Sequence, residues 1–206
     1  MLNVALTGGI ACGKSLVGAL LASHGAEICE ADVLAHEVMA PGGPAYDGIL
    51  EAFGAGVLDP ISGAVDRTRL GRRVFRNPEE LARLNVLVHP HVKRRWRGWL
   101  RSRRAGVPAA VVVIPLLYEI RAENEWDLIV SVGASAVVQV ARLRRRGLSA
   151  EEAARRLAAQ MPVSEKIIRG DIVIMNDGGK QALREQAARL WRRIVKSPKR
   201  AAGERL

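Results

Sequence analysis

Gly8, Gly13, Lys14 and Ser15 stand with four residues between the first glycine and the Gly-Lys-Ser triplet, and each residue type has a chemical use at that spacing. Glycines let the backbone curl until successive N–H groups point into one concavity, an anion nest that side chains would obstruct. A helix opening near Lys14 adds the positive end of its dipole. The Lys14 ammonium can then reach the outer phosphates of a nucleoside triphosphate, and the Ser15 hydroxyl is placed to coordinate Mg2+. Asp32 is the second candidate. It follows the apolar stretch Ala26 to Cys29, and a carboxylate just past a parallel strand lies at the edge of the sheet that carries such a loop. Asp is also a common helix cap, and that role stays open for Asp32. His89 could meet a phosphate or serve as a packed or capping histidine. Cys12, at the start of a helix beside Lys14, is expected to form a reactive thiolate, with a small inert hydrophobe as the alternative.

The elements that must position these groups can be read from periodicity. An apolar run from Leu2 to Leu6 enters the glycine loop, and Leu16, Val17, Leu20 and Leu21 mark the helix after it. Residues 41–64 are rich in Gly and Pro and predict an irregular insertion, with a short helix from Tyr46 to Phe53. Asn77 as cap, Pro78 in the first turn and Glu80 as capping-box partner predict a helix, and a second, basic helix is expected to start at His89-Pro90. Ala109 to Leu117 is unbroken apolar sequence, the signature of a central parallel strand, and Tyr118-Glu119 would emerge at its end. Leu128 to Val132 and Asp171 to Met175 are the remaining strands. Between them lie a helix through Gln139, Arg142 and Arg146 and another opened by the Ser149 and Glu152 capping box. Leu183, Ala187, Leu190, Trp191 and Ile194 predict a closing amphipathic helix, and the basic tail after Lys196 is expected to be disordered.

The 206 residues, 49% of them hydrophobic, suit one α/β domain with insertions. No stretch approaches a membrane span, and no basic segment precedes the first strand as a signal peptide would require. Two cysteines cannot build a disulfide framework and have no zinc spacing, so a reduced, cytoplasmic protein is expected. The net charge of +11 fits either nucleic acid or a substrate carrying several phosphates. The most basic run, Lys93 to Arg104, interleaves arginines with tryptophans, as a single-strand binder would. Val92, Trp96, Trp99 and Leu100 nevertheless fall at helical spacing, and a core face backed by a solvated face is the preferred reading.

The order of these pieces is that of a phosphoryl-transfer kinase, and the residues resemble more specifically the dephospho-coenzyme A kinases. The matching stretches are Leu6 to Ile10 into Gly13-Lys14-Ser15, Ala31-Asp32 with His36, Asn85 through His89-Pro90, Pro115 to Glu119, Gln139 with Arg142 and Arg146, Arg156 with Gln160-Met161-Pro162, and Asp171 to Gly178. The resemblance implies an α/β P-loop fold of three layers around a five-stranded parallel sheet. It implies a core of residues 1–35, 108–138 and 170–196, an acceptor-binding helical insertion at 36–107, a lid at 139–169 and a tail at 197–206. ATP with Mg2+ would be held by Gly8, Gly9, Ala11, Cys12, Gly13, Lys14, Ser15 and Leu16. Arg142 and Arg146 would be lid arginines, with Arg142 catalytic beside Lys14, and Asn176 with its backbone the adenine contact. Asp32 would take the proton from the ribose 3′-hydroxyl of dephospho-CoA, and His89, Tyr118 and Glu119 would line the acceptor pocket. Dephospho-CoA is the implied partner, with no nucleic acid, no membrane, and a monomer or small homo-oligomer. Four positions depart from the family pattern: Ala11-Cys12 stand for Gly-Ser, Leu16 for Thr, Glu30 for Asp and Gly170 for Ala. A kinase of the same architecture with a nucleotide or other small acceptor, and a P-loop ATPase acting on nucleic acid, are the rival readings.

Overall fold

The computed structural model describes residues 1–103 and 106–196. The expectation of a disordered basic tail, and the end of the basic run at Arg104, lie outside the described residues. The chain divides into two compact units, Ala31–Arg101 and the remainder.

The larger unit holds a parallel sheet of β1 (Leu2–Gly8), β2 (Glu27–Glu30), β3 (Ala109–Val113), β4 (Leu128–Gly133) and β5 (Ile172–Met175), in the order β2-β3-β1-β4-β5. Central strands of a parallel sheet are covered on both faces and therefore read as apolar runs. All five residues of β3 and all six of β4 are buried. At about 1.5–3 kcal/mol for each buried Val, Leu or Ile, this core outweighs any single surface contact. Register sets Leu2 against Ala109 and Val4 against Leu128, and the strand ends beyond Gly8, Glu30, Val113 and Gly133 share one edge. β3 is shorter than the apolar run predicted. It ends at Val113 because Pro115 has no N–H to extend the ladder, and the chain turns instead through residues 115–121.

Around the sheet stand α1 (Lys14–Ser23), α6 (Ala136–Arg145), α7 (Ala150–Ala158), α8 (Val163–Arg169) and α9 (Lys180–Lys196). The Ser149 and Glu152 capping box forms as predicted. Leu183, Ala187, Leu190 and Ile194 of α9 are buried in the core, with Trp191 packed beside them. The predicted lid contains a third helix, α8, too short for periodicity to reveal. Its Lys166 side chain is 0% exposed, and Nζ donates to the Pro115 carbonyl at 2.6 Å and pairs with Glu119 Oε1 at 2.8 Å. Removing one member of a buried pair leaves the other uncompensated. Lys166→Met is therefore expected to lower unfolding free energy by about 3 kcal/mol, measured by urea titration; a loss below about 1 kcal/mol would show that water replaces the ammonium.

The smaller unit contains α2 (Ala31–Met39), α3 (Tyr46–Phe53), α4 (Arg67–Val74) and α5 (Pro78–Arg101). The expected break at His89-Pro90 does not occur, and α5 is one helix of 24 residues. Pro90 is exposed, so its ring faces water, and the hydrogen bond it forfeits is the cost of continuity. Asn77 caps α5 through Glu79 and Glu80 N–H. Glu80 does not complete the box, because its carboxylate takes a forked pair from Arg73 at 2.6–3.0 Å. Val92 and Trp96 are buried and Arg94, Arg95 and Arg97 exposed, the amphipathic arrangement read from spacing.

Candidate phosphate-binding site

β1 delivers the chain to the shared strand edge at Gly8, and α1 begins six residues later at Lys14. Gly8 has φ of 142° and Gly13, at the N-cap of α1, has φ of 95°. A Cβ on Gly8 would strike the Val132 carbonyl, and one on Gly13 the Asn176 amide, so both positions need glycine for conformation and for space. Ala11 also has positive φ, 59°, a conformation that glycine adopts without strain. The methyl makes the left-handed backbone less favourable by about 1–2 kcal/mol, and it is buried in a small cluster with Leu143 and Ala153.

The loop carbonyls are taken up one by one. Lys14 Nζ donates to Gly8 O at 3.1 Å and Gly9 O at 2.8 Å. Gln139 Nε2 donates to Ile10 O at 2.7 Å, Arg142 Nη1 to Ala11 O at 3.0 Å and Asn176 Nδ2 to Cys12 O at 2.8 Å. Arg142 Nη2 also donates to Asn176 O at 2.8 Å. Among the described residues no protein acceptor pairs with the amides of Ile10, Ala11 and Gly13. Donors turned away from protein partners, beside an ammonium and a helix N-terminus, make a site for a polyphosphate. A cavity of about 350 Å³ opens beside the loop, lined by Gly9, Ile10, Gln139, Leu157, Met161 and Val163. Ser15 and Leu16 are exposed on the first turn of α1. The Ser15 hydroxyl suits Mg2+ that a phosphate would bring with it, since Mg2+ keeps most of its shell as water and phosphate oxygen.

Cys12 corrects an expectation. Its side chain is 0% exposed and packs in the main core, and burial pushes the thiol pKa up despite the opposing pull of Lys14 and Arg142. The helix starts two residues later, with Gly13 as its cap. Cys12 is a buried core thiol, which favours the alternative reading.

Other candidates fall in different places. Asp32 is the second residue of α2, exposed in its first turn rather than at the cap position. Tyr118 is buried with the Arg169 guanidinium 5.6 Å from its ring centre. Glu119 pairs with Lys166 and accepts from Met161 N–H at 2.9 Å, so its carboxylate braces the strand edge. Asn176 is 5% exposed, with its amide turned into the loop. Arg146 is the C-cap of α6 and is exposed. Gln139 had no role assigned from sequence, although its place three residues before Arg142 puts both on one helix face. Gly170 lies against Ser131 so closely that a Cβ would clash with the Ser131 Oγ and Cβ.

His89 is half-buried on α5, and burial lowers its pKa from the ordinary 6.5. His36 is lowered too, by burial and then by Arg67, with Asp32 opposing. A lowered folded-state value means the unfolded chain binds the proton better. Stability is therefore full above the ordinary histidine pKa and falls as pH drops through it toward the folded value. His89→Gln should lose less stability than the parent between pH 7.5 and pH 5.5 in urea titrations. Equal losses would show that His89 charges freely in the fold.

The sequence model for dephospho-CoA kinase matches residues 2–182. The dephospho-CoA kinase of Geobacter metallireducens is 44% identical over 202 residues, covering 97% of this chain and all of that protein. TT1252 from Thermus thermophilus superposes with a TM-score of 0.80 at 33% identity, covering 95% of this chain and 98% of that one. Dephospho-CoA kinase from Campylobacter jejuni gives a TM-score of 0.67 at 26% identity, over 94% and 97% of the two chains.

Proposed function

The chain belongs to the dephospho-CoA kinase family, and on that premise we propose that it transfers the γ-phosphoryl of ATP to the ribose 3′-hydroxyl of dephospho-CoA. The observation that carries the reading is the phosphate loop, whose glycines, Lys14 and helix N-terminus form an anion nest in a chain of that family. Lys14 would exchange its bonds to Gly8 O and Gly9 O for the outer phosphates, offsetting charge on the transferring group. Mg2+, brought with ATP and held at the Ser15 hydroxyl, would supply further charge neutralisation of the phosphates. Asp32, two residues past β2 in the chain, would accept the proton of the attacking hydroxyl as general base. Arg142 would stay at the loop. Its guanidinium, unlike an ammonium, offers a planar set of donors that suits phosphate as well as carbonyl oxygens, and Arg146 would reach the phosphates from the end of α6. The adenine contact falls to the backbone around Asn176, since its side chain is engaged by Cys12 O. His89, Tyr118 and Glu119 are the residues that the family resemblance implies for the acceptor. Within it the protein works in the cytoplasm as a monomer or small homo-oligomer, without nucleic acid. Among the described residues no helix is long and apolar enough to cross a membrane.

A coupled assay for ADP, offering dephospho-CoA, nucleoside monophosphates, shikimate and single-stranded RNA in parallel, tests the proposal. Dephospho-CoA alone should support turnover. Turnover with a monophosphate or shikimate would make it a kinase of another acceptor, and RNA-stimulated hydrolysis would make it a nucleic-acid ATPase.

A further inference from the structure

Every backbone carbonyl from Gly8 to Gly13 has a protein donor. Gly8 O and Gly9 O take Lys14, and Gly9 O also takes the Cys12 N–H at 3.3 Å. Ile10 O, Ala11 O and Cys12 O take Gln139, Arg142 and Asn176 in turn, and Gly13 O takes the Val17 N–H at 3.1 Å. The Ile10, Ala11 and Cys12 carbonyls are held by side chains rather than by Lys14 or a backbone N–H. Their donors come from α6 and from the residue after β5, 129, 131 and 164 positions away in sequence. Arg142 also ties the two supports together through Asn176 O. A peptide plane whose carbonyl is held on one side must present its N–H on the other. Fixing the Ile10 and Cys12 carbonyls therefore fixes the orientation of the Ala11 and Gly13 amides, which share their peptide planes.

We propose that Gln139, Arg142 and Asn176 form a brace that holds the phosphate loop open before nucleotide arrives, so that each is a positioning residue acting through the backbone of residues 10–12. The proposal rests on the phosphoryl-transfer reading of the loop and deepens it. Arg142, a lid arginine by resemblance, is in this reading a strut of the loop itself through Ala11 O and Asn176 O. Preorganised donors need no reordering when the anion binds, which is where their affinity comes from. The geometry also explains Gly13 from a second side, because Asn176 occupies the space a Cβ there would need.

Two measurements on Gln139→Met, Asn176→Leu and Arg142→Lys test the brace. The first two variants keep volume and lose the donor; the third keeps the charge but not the fork to both carbonyls. Amide hydrogen exchange in the ligand-free protein should quicken at Cys12, whose N–H is bonded within the loop to Gly9 O, in each variant, while β4, at 128–133, exchanges as in the parent. No bound nucleotide is present there, so direct ligand contact cannot produce the effect. Calorimetric titration with inorganic tripolyphosphate and with ATP should show both affinities falling by one common factor, about tenfold for a buried donor lost. Unchanged loop exchange in all three variants would overturn the brace. So would a loss confined to ATP, which would make these side chains contacts of the nucleoside. Quickened exchange of β4 together with the loop would reduce the residues to general packing, which also overturns it. A parent that binds neither probe would instead defeat the phosphoryl-transfer reading, and loop exchange in the variants would still decide whether the brace exists.

Discussion

Lys14→Ala is expected to abolish phosphoryl transfer while the protein keeps its fold. Lys14 opens α1 and is half-buried, with its ammonium on Gly8 O and Gly9 O and outside the apolar core. Truncation removes two hydrogen bonds to loop carbonyls, a stability change of about 1–3 kcal/mol against a core of many buried aliphatic side chains. The charge it takes from the site has no substitute on the loop itself, which carries no other cation between Gly8 and Ser15. In a water-poor nest that charge acts where negative charge builds in the transition state, and such terms are the largest in phosphoryl transfer. The measurement is turnover with saturating ATP and dephospho-CoA, with circular dichroism and a thermal melt as controls for the fold. Transfer within about tenfold of the parent, or about 1.4 kcal/mol of barrier, would remove Lys14 from the chemistry.

How far the molecule could be read in advance follows from the range of each signal. Strands covered on both faces are predominantly apolar, so β1, β3 and β4 were visible as runs without knowledge of their neighbours, despite Thr7 and Ser131 within them. The glycine loop was visible because its conformational demands fall on consecutive residues. Local caps were legible at Ser149 and Asn77, but Glu80 was misassigned because Arg73, seven residues upstream, offers a stronger charged partner. Pro90 was taken as a break because Pro usually ends a helix; α5 tolerates it on an exposed face. The thiol of Cys12 illustrates the same limit. Helix and lysine suggested a thiolate, but desolvation by the surrounding core is the larger influence on it. What sequence could not show at all is the set of donors on the loop carbonyls. Gln139, Arg142 and Asn176 meet residues 10–12 only once β4 and β5 have been ordered on one side of β1. Strand order is not written in any one segment.

Asp32→Asn should lower turnover by about 10²–10⁴, or about 3–5 kcal/mol of barrier, with ATP affinity close to the parent's. The variant keeps the size and most of the hydrogen bonding of the side chain and removes only its ability to accept a proton. Two roles make different demands on that carboxylate. A helix cap would use an oxygen that Asn supplies equally well, but Ala31 opens α2, and Asp32 lies one residue inside it. There a negative charge complements the helix dipole, worth about 0.3–1 kcal/mol of stability. The structural role therefore predicts a small loss in a urea titration and an unchanged rate. The general-base role predicts that same small loss together with a collapse in turnover, because the 3′-hydroxyl would have to shed its proton unaided. Measuring both quantities on one preparation separates the roles. A rate within about threefold of the parent, less than 1 kcal/mol of barrier, alongside the small loss of stability would leave Asp32 a helix residue and send the search for the base elsewhere.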